Sequence, residues 1–109
     1  MILAFSVAPS GVGPAGPAMS ESGSVSAAVA AAIAVVRESG LPHRTSSMFT
    51  EIEGEWDEVF GVVKLATEAV ASFGSRVSLV MKADIRPGFA GELDGKLERL
   101  EAAIEGAVG

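Results

Sequence analysis

The residues best suited to chemistry in this 109-residue chain crowd into one stretch, with Phe49, Thr50, Glu51, Glu53 and Trp56 falling within eight positions. Glu51 and Glu53 alternate, so on a strand their carboxylates share a face, a placement that could serve general acid–base work. Asp57 and Glu58 are the other close acid pair. They fall in the first turn of an expected helix, where the helix dipole favours negative charge. No further sign of an active site accompanies these carboxylates. The chain has no cysteine, GxSxG, HExxH or Walker loop. Gly11, Gly13 and Gly16 match the spacing of a dinucleotide fingerprint, but Pro14 and Pro17 interrupt it, and Pro17 falls where a phosphate-binding helix should donate N–H groups. His43, the one histidine, cannot build a two-histidine metal site and reads as a surface residue. Lys82 and Asp84 share a strand face and read as an interface ion pair. The residues therefore argue against an enzyme.

The elements that must position this stretch follow from periodicity. Ile2 to Val7 alternates as a strand, with Leu3, Phe5 and Val7 on one face. Pro9 to Gly23, rich in Gly, Pro, Ser and Ala, is expected to be a mobile loop. Ser24 can cap a helix reaching Ser39, with Val25, Val29, Ile33 and Val36, and Ala32 between them, as its apolar stripe. Gly40 and Pro42 stop it. His43 to Thr50 is expected as a strand, with Glu51 to Gly54 starting its hairpin partner. Trp56, Val59, Phe60, Val63, Ala66, Val70 and Phe73 give a second helix, ended by Gly74. Arg76 to Arg86 is the clearest strand, with Val77, Leu79, Met81, Ala83 and Ile85 on one face. A last helix, Gly91 to Glu105, carries Leu93, Leu97, Leu100 and Ile104. The order is βαββαβ plus a C-terminal helix, an α+β, ferredoxin-like plan with helices on one face of a four-stranded antiparallel sheet. The other face is half polar, and long exposed edges favour covering by another subunit, so a homo-oligomer is expected.

Composition bounds the remaining classes. The length suits a single domain spanning residues 1–109. A hydrophobic fraction of 49% argues against disorder. No run reaches the ~18 apolar residues of a spanning helix, so no membrane is expected. Met1 to Val7 has no basic residue before it and is broken by Pro9 and Gly11, unlike a secretory signal; a cytoplasmic protein is expected. The net charge is −6 and the basic residues are scattered, so no nucleic-acid partner is expected.

Four segments together resemble a known family. They are Ile2-Leu3-Ala4-Phe5-Ser6-Val7 with its Gly/Pro loop, Arg37-Glu38-Ser39-Gly40-Leu41-Pro42, the run from Met48 to Val59, and the run from Arg76 to Arg86. Their order and spacing resemble the thiamine-binding-protein family across nearly the whole chain. The resemblance implies the ferredoxin-like fold, homotetramers built of sheet-to-sheet dimers, and a pocket near a subunit interface for thiamine (vitamin B1) or its pyrimidine half. No other cofactor is implied. Phe49 stands where the family usually has glycine, and Glu51 where it often has a small or apolar residue.

Under that resemblance, the thiazolium cation calls for carboxylates or aromatic faces, and the aminopyrimidine for a donor–acceptor pair. Glu51, Glu53, Phe49 and Trp56 supply the first, and Thr50 and Ser6 supply hydroxyls. Each also has a plain structural reading. Trp56 can pack in the core, Phe49 can fill an interface, and Glu51 can be a solvated turn residue. Glu53 can serve the N-terminus of the second helix, Thr50 is a common strand residue, and Met48 reads as apolar packing. The alternative to a small-molecule binder is a structural or regulatory homo-oligomer without a vitamin ligand.

Overall fold

The chain runs β1 (Ile2–Ser10), β2 (Val12–Gly13), β3 (Gly16–Pro17), α1 (Ser26–Ser39), β4 (His43–Thr45), β5 (Thr50–Glu53), α2 (Trp56–Ala71), β6 (Arg76–Asp84) and α3 (Glu92–Val108) in a computed structural model. The structure describes every residue except 21, 22, 24 and 109, and within α3 the side chains of 96, 107 and 108 are also outside the description. Ser24, the expected cap of α1, lies outside the described residues.

The four main strands form an antiparallel sheet in the order β4-β5-β1-β6, the ferredoxin-like arrangement. Leu3 stands opposite Ile52 and Ala83, and Phe5 opposite Thr50 and Met81. Period-two alternation therefore puts Leu3, Phe5 and Ile52 on one face, where α1 and α2 cover them. The same alternation leaves Ile2, Ala4, Ser6, Glu51, Lys82 and Asp84 on the opposite face.

Helix α2 matches its pattern closely. Glu55 and Glu58 make a reciprocal capping box, and Val59, Val62, Val63, Ala66 and Val70 are buried. Helix α1 is rotated from the expected stripe. Its buried residues are Ala28, Ala32 and Val36, while Val29 is exposed. Alanines at this contact let α1 lie close to α2, and dense packing rewards that approach more than it rewards a larger side chain held farther out. The helix ends as expected, with Gly40 in the left-handed conformation at φ 73°.

Two segments depart from the sequence reading. Strand β1 continues through Pro9 to Ser10, paired to Arg76 at its end. The Gly/Pro-rich stretch after it is not simply a loop, because β2 and β3 form a small hairpin against the α2–β6 turn. The Ala15 N–H donates to the Ser72 carbonyl at 2.7 Å, and a Cβ on Gly13 would come within 2.5 Å of the Gly74 nitrogen. Glycine is what permits that approach. The strand expected over His43 to Thr50 divides into β4 and β5 around a turn at residues 46–49. The Ser46 hydroxyl holds that turn, donating to the Phe49 carbonyl and accepting the Phe49 N–H. Strand β6 ends at Asp84, two residues short of the expected boundary.

Helix α3 crosses one end of the open sheet face. Its anchor is Glu53, whose carboxylate accepts the N–H groups of Glu92 at 2.7 Å and Leu93 at 3.3 Å. Leu93 is buried beneath the helix, whereas Leu97, Leu100 and Ile104 are exposed. The radius of gyration, 16.2 Å, exceeds the ~13 Å usual for this length, as a helix reaching past its sheet requires. Among the described residues, no helix is long and apolar enough to cross a membrane.

Candidate ligand cleft

The unequal lengths of β1 and β5 create the site. Strand β5 begins at Thr50, opposite Phe5, so among the described residues β1 has no strand neighbour on that side from Ser6 onward. The chain instead arrives through the turn at residues 46–49, and α1 passes above. The space between them is a cleft of about 240 Å³. Ser6, Val7 and Ala8 form its floor, Thr50, Phe49 and Met48 one wall, and Val25, Val29 and Ile33 of α1 the other. The residues that α1 turns away from the core thus make the apolar side of the cleft.

The polar groups here are of a particular kind. A strand edge without a neighbour presents main-chain N–H and C=O groups. Thr50 adds a hydroxyl, both donor and acceptor, while Ser6 lines the floor from a position whose side chain belongs to the opposite sheet face. Thr50 is only 6% exposed, yet its hydroxyl bonds to no described residue, and no fully buried side-chain polar atom lacks a partner among the described residues. The Thr50 hydroxyl therefore reaches accessible space. Among the described residues, no carboxylate lines the cleft. A shallow apolar groove continues from it along α1, sharing Val25, Val29, Ile33 and Thr45 and reaching Arg37.

The six expected site residues separate into distinct places. Ser6, Phe49 and Thr50 meet in this cleft, with Phe49 half exposed at its rim. Glu51 lies on the other sheet face, where it lines a hollow with Ile2, Ala4, Lys82, Asp84, Leu93 and Leu97. Glu53 is 7% exposed and is engaged by the start of α3, not of α2. Trp56 is 52% exposed, which corrects the core-packing alternative; it stacks on Phe60 with centroids 5.3 Å apart and lines a third hollow beside Arg86 and Phe89. Met48 is largely exposed at the turn and does not pack as an interior residue. His43 is exposed, with Nδ1 2.9 Å from the Leu41 carbonyl oxygen.

The sequence reading missed the α1 wall and the floor beyond Ser6. Val29 was visible as an apolar residue but was assigned to the core. The floor escaped because β1 was ended at Val7. The available signal was the contrast between the long run from Ile2 and the short Thr50–Glu53 segment. Among the described residues, no group of three or more His, Asp or Glu could hold a metal ion.

Comparison with known proteins supplies the family. Residues 3–101 match the family described as thiamine-binding protein. A UPF0045 protein of Mycobacterium bovis is 46% identical over 102 residues, covering 93% of this chain and 91% of that protein. A UPF0045 protein of Synechocystis is 39% identical over 83 residues, covering 75% and 69% of the two chains. Among solved structures, a domain of unknown function from Bacillus cereus superposes with a TM-score of 0.71 at 30% identity, covering 87% of this chain and 84% of that one. A Thermotoga maritima structure described as a candidate thiamine biosynthesis/salvage protein shares the fold, with a TM-score of 0.72 at 20% identity over 91% and 96% of the two chains. The ladder gap beside Thr50, the ferredoxin-like sheet around it and a match over nearly all of its length lead to one assignment: this chain belongs to the thiamine-binding protein family.

Proposed function

We propose that this chain is a non-enzymatic binding protein for thiamine or its pyrimidine half, working as a homo-oligomer. The observation that carries this reading is the ladder gap after Phe5, where the edge of β1 has no strand partner among the described residues and stands beside the Thr50 hydroxyl and the Phe49 ring. An aminopyrimidine edge offers alternating donors and acceptors, which an unpaired strand edge complements as it would another strand. At about 240 Å³ the cleft is smaller than the ~300–1,000 Å³ usual for drug-sized ligands, so it suits one ring better than two. Among the described residues its lining has no carboxylate, and Arg37 ends the adjoining groove, which favours a neutral ring there over the thiazolium. The cationic half would extend toward solvent or a second subunit.

Catalysis gains no support from the acid pair, because Glu53 is held by two N–H groups and Glu51 lines a separate hollow. The oligomeric part of the reading is supported by the uncovered apolar residues of α3 and of β6.

Calorimetric titration with thiamine and with the free aminopyrimidine tests the ligand. Binding to the native state must also raise thermal stability, by about 2.7 kcal/mol at a ligand concentration a hundred times Kd. Saturable heat with a matching rise in Tm is the expected result. Absence of both at millimolar ligand would reject the vitamin and leave the structural homo-oligomer.

A further inference from the structure

The apolar side of the cleft does not stop at its rim. Val25, Val29, Ile33 and Arg37 follow one another at every fourth position, from the cap of α1 into its last turn. They form one stripe, in which each residue stands about 6 Å beyond the one before. The first three are apolar and wall the cleft; the last is a cation. The groove that carries on along the stripe holds about 550 Å³ and is lined otherwise by Thr45 and alanines. Helical side chains lean toward the N-terminus, which carries Arg37 back over Ile33 and toward the cleft. Thr45 lines both spaces and stands opposite Thr50 in the ladder, so its hydroxyl belongs to the same sheet face.

The local structure makes little use of the Arg37 guanidinium. A cation in the last turn suits the helix dipole, but Arg37 is exposed and makes no ion pair among the described residues, unlike Arg44, Arg86 and Arg99. The helix end is closed without it. The Ser39 hydroxyl donates to the Val36 carbonyl, and the Gly40 N–H donates to the Arg37 carbonyl. Glu38 points about 100° away around the helix and does not line the groove.

A ring seated in the cleft is therefore followed, about one helical turn on, by a guanidinium, the group that binds phosphate oxygens two at a time. The free aminopyrimidine carries a hydroxymethyl arm, and phosphorylation is what turns such an alcohol into an anion at neutral pH. A thiazolium on the same arm would set two cations together. We propose that cleft and groove together select an aminopyrimidine whose methylene arm carries a phosphate, with the ring between Thr50 and Val29 and the phosphate on Arg37 and Thr45. This rests on the proposed function, because it needs the ring in the cleft.

Calorimetric titration of the intact chain at low salt, with the pyrimidine alcohol and with its phosphate ester, tests the preference. The ester should bind about tenfold tighter, as one charge-assisted pair open to water allows. That gap should close at 1 M salt, where the Debye length falls to about 3 Å. Arg37→Gln should bring the two affinities together. Arg37→Lys keeps the charge without the planar fork and should keep part of the gap. Arg76→Gln removes the same charge from an exposed position on β6 and should leave the gap as it is. Equal affinities in the unmodified chain overturn the inference and leave the proposed function standing. A gap that survives Arg37→Gln, or falls equally with Arg76→Gln, does the same. If neither compound binds, the proposed function fails and this inference fails with it.

Discussion

The two ends of β5 treat their polar groups in opposite ways. At one end Glu53 is buried and both carboxylate oxygens accept N–H groups from the start of α3. Glu92, at the same place, is itself buried and bonded by Arg99 at 2.5 Å. At the other end Thr50 is equally buried, but its hydroxyl has no partner among the described residues, and β1 has lost its neighbour. Satisfied polar groups hold α3 to the sheet; unsatisfied ones open into a cleft. A hydroxyl and a strand edge that reach accessible space beside an apolar wall are free to bond a ligand, and they mark the end of the strand where one belongs.

Substitutions can break this contrast, and the largest effect belongs at the satisfied end. Glu53→Ala leaves two N–H groups of α3 without acceptors. It should lower unfolding free energy by about 2–4 kcal/mol in denaturant titrations, with ligand affinity unchanged in the fraction that remains folded. At the open end the order reverses. Thr50→Val keeps the shape but deletes the hydroxyl, and calorimetry should show thiamine affinity falling about tenfold while stability shifts by less than ~1 kcal/mol. Val29→Ala removes part of the apolar wall without entering the core, and should weaken binding about three- to fivefold by the same measurement. The smallest effect is expected at Trp56. It is the only tryptophan and there is no tyrosine, so intrinsic fluorescence reports its surroundings alone. Saturating thiamine should leave that emission nearly unchanged, and a strong quench would move the ligand to the hollow beside Arg86 and Phe89.

These contrasts also show what could be read from residue order. The ferredoxin-like plan was legible because its signals are local: period-two runs at Ile2 and Arg76, helical spacing from Trp56 to Val70, and stops at Gly40 and Gly74. Half of the candidate cleft was legible too, since Ser6, Phe49 and Thr50 do converge. The rest depends on long-range packing. Glu51 and Glu53 look alike in sequence, and only the arrival of α3, some forty residues later, gives Glu53 its N–H partners. The rotation of α1 was hidden because hydrophobicity marks Val25, Val29 and Ile33 as core, whereas closeness to α2 selects Ala28 and Ala32. Pro9 and the glycines after it disguised the last residues of β1, because their turn-forming character outweighs the strand pairing with β6 that holds them.

The most direct test of the ladder gap as the binding site is a two-dimensional amide NMR titration of the isotope-labelled protein with the aminopyrimidine. The account predicts that the largest shifts fall on Ser6, Val7, Ala8 and Thr50, together with Val29 on the facing helix, while Lys82, Asp84 and Trp56 stay in place. Shifts concentrated on Glu51, Lys82 and Asp84, with Ser6 to Ala8 unmoved, would contradict it.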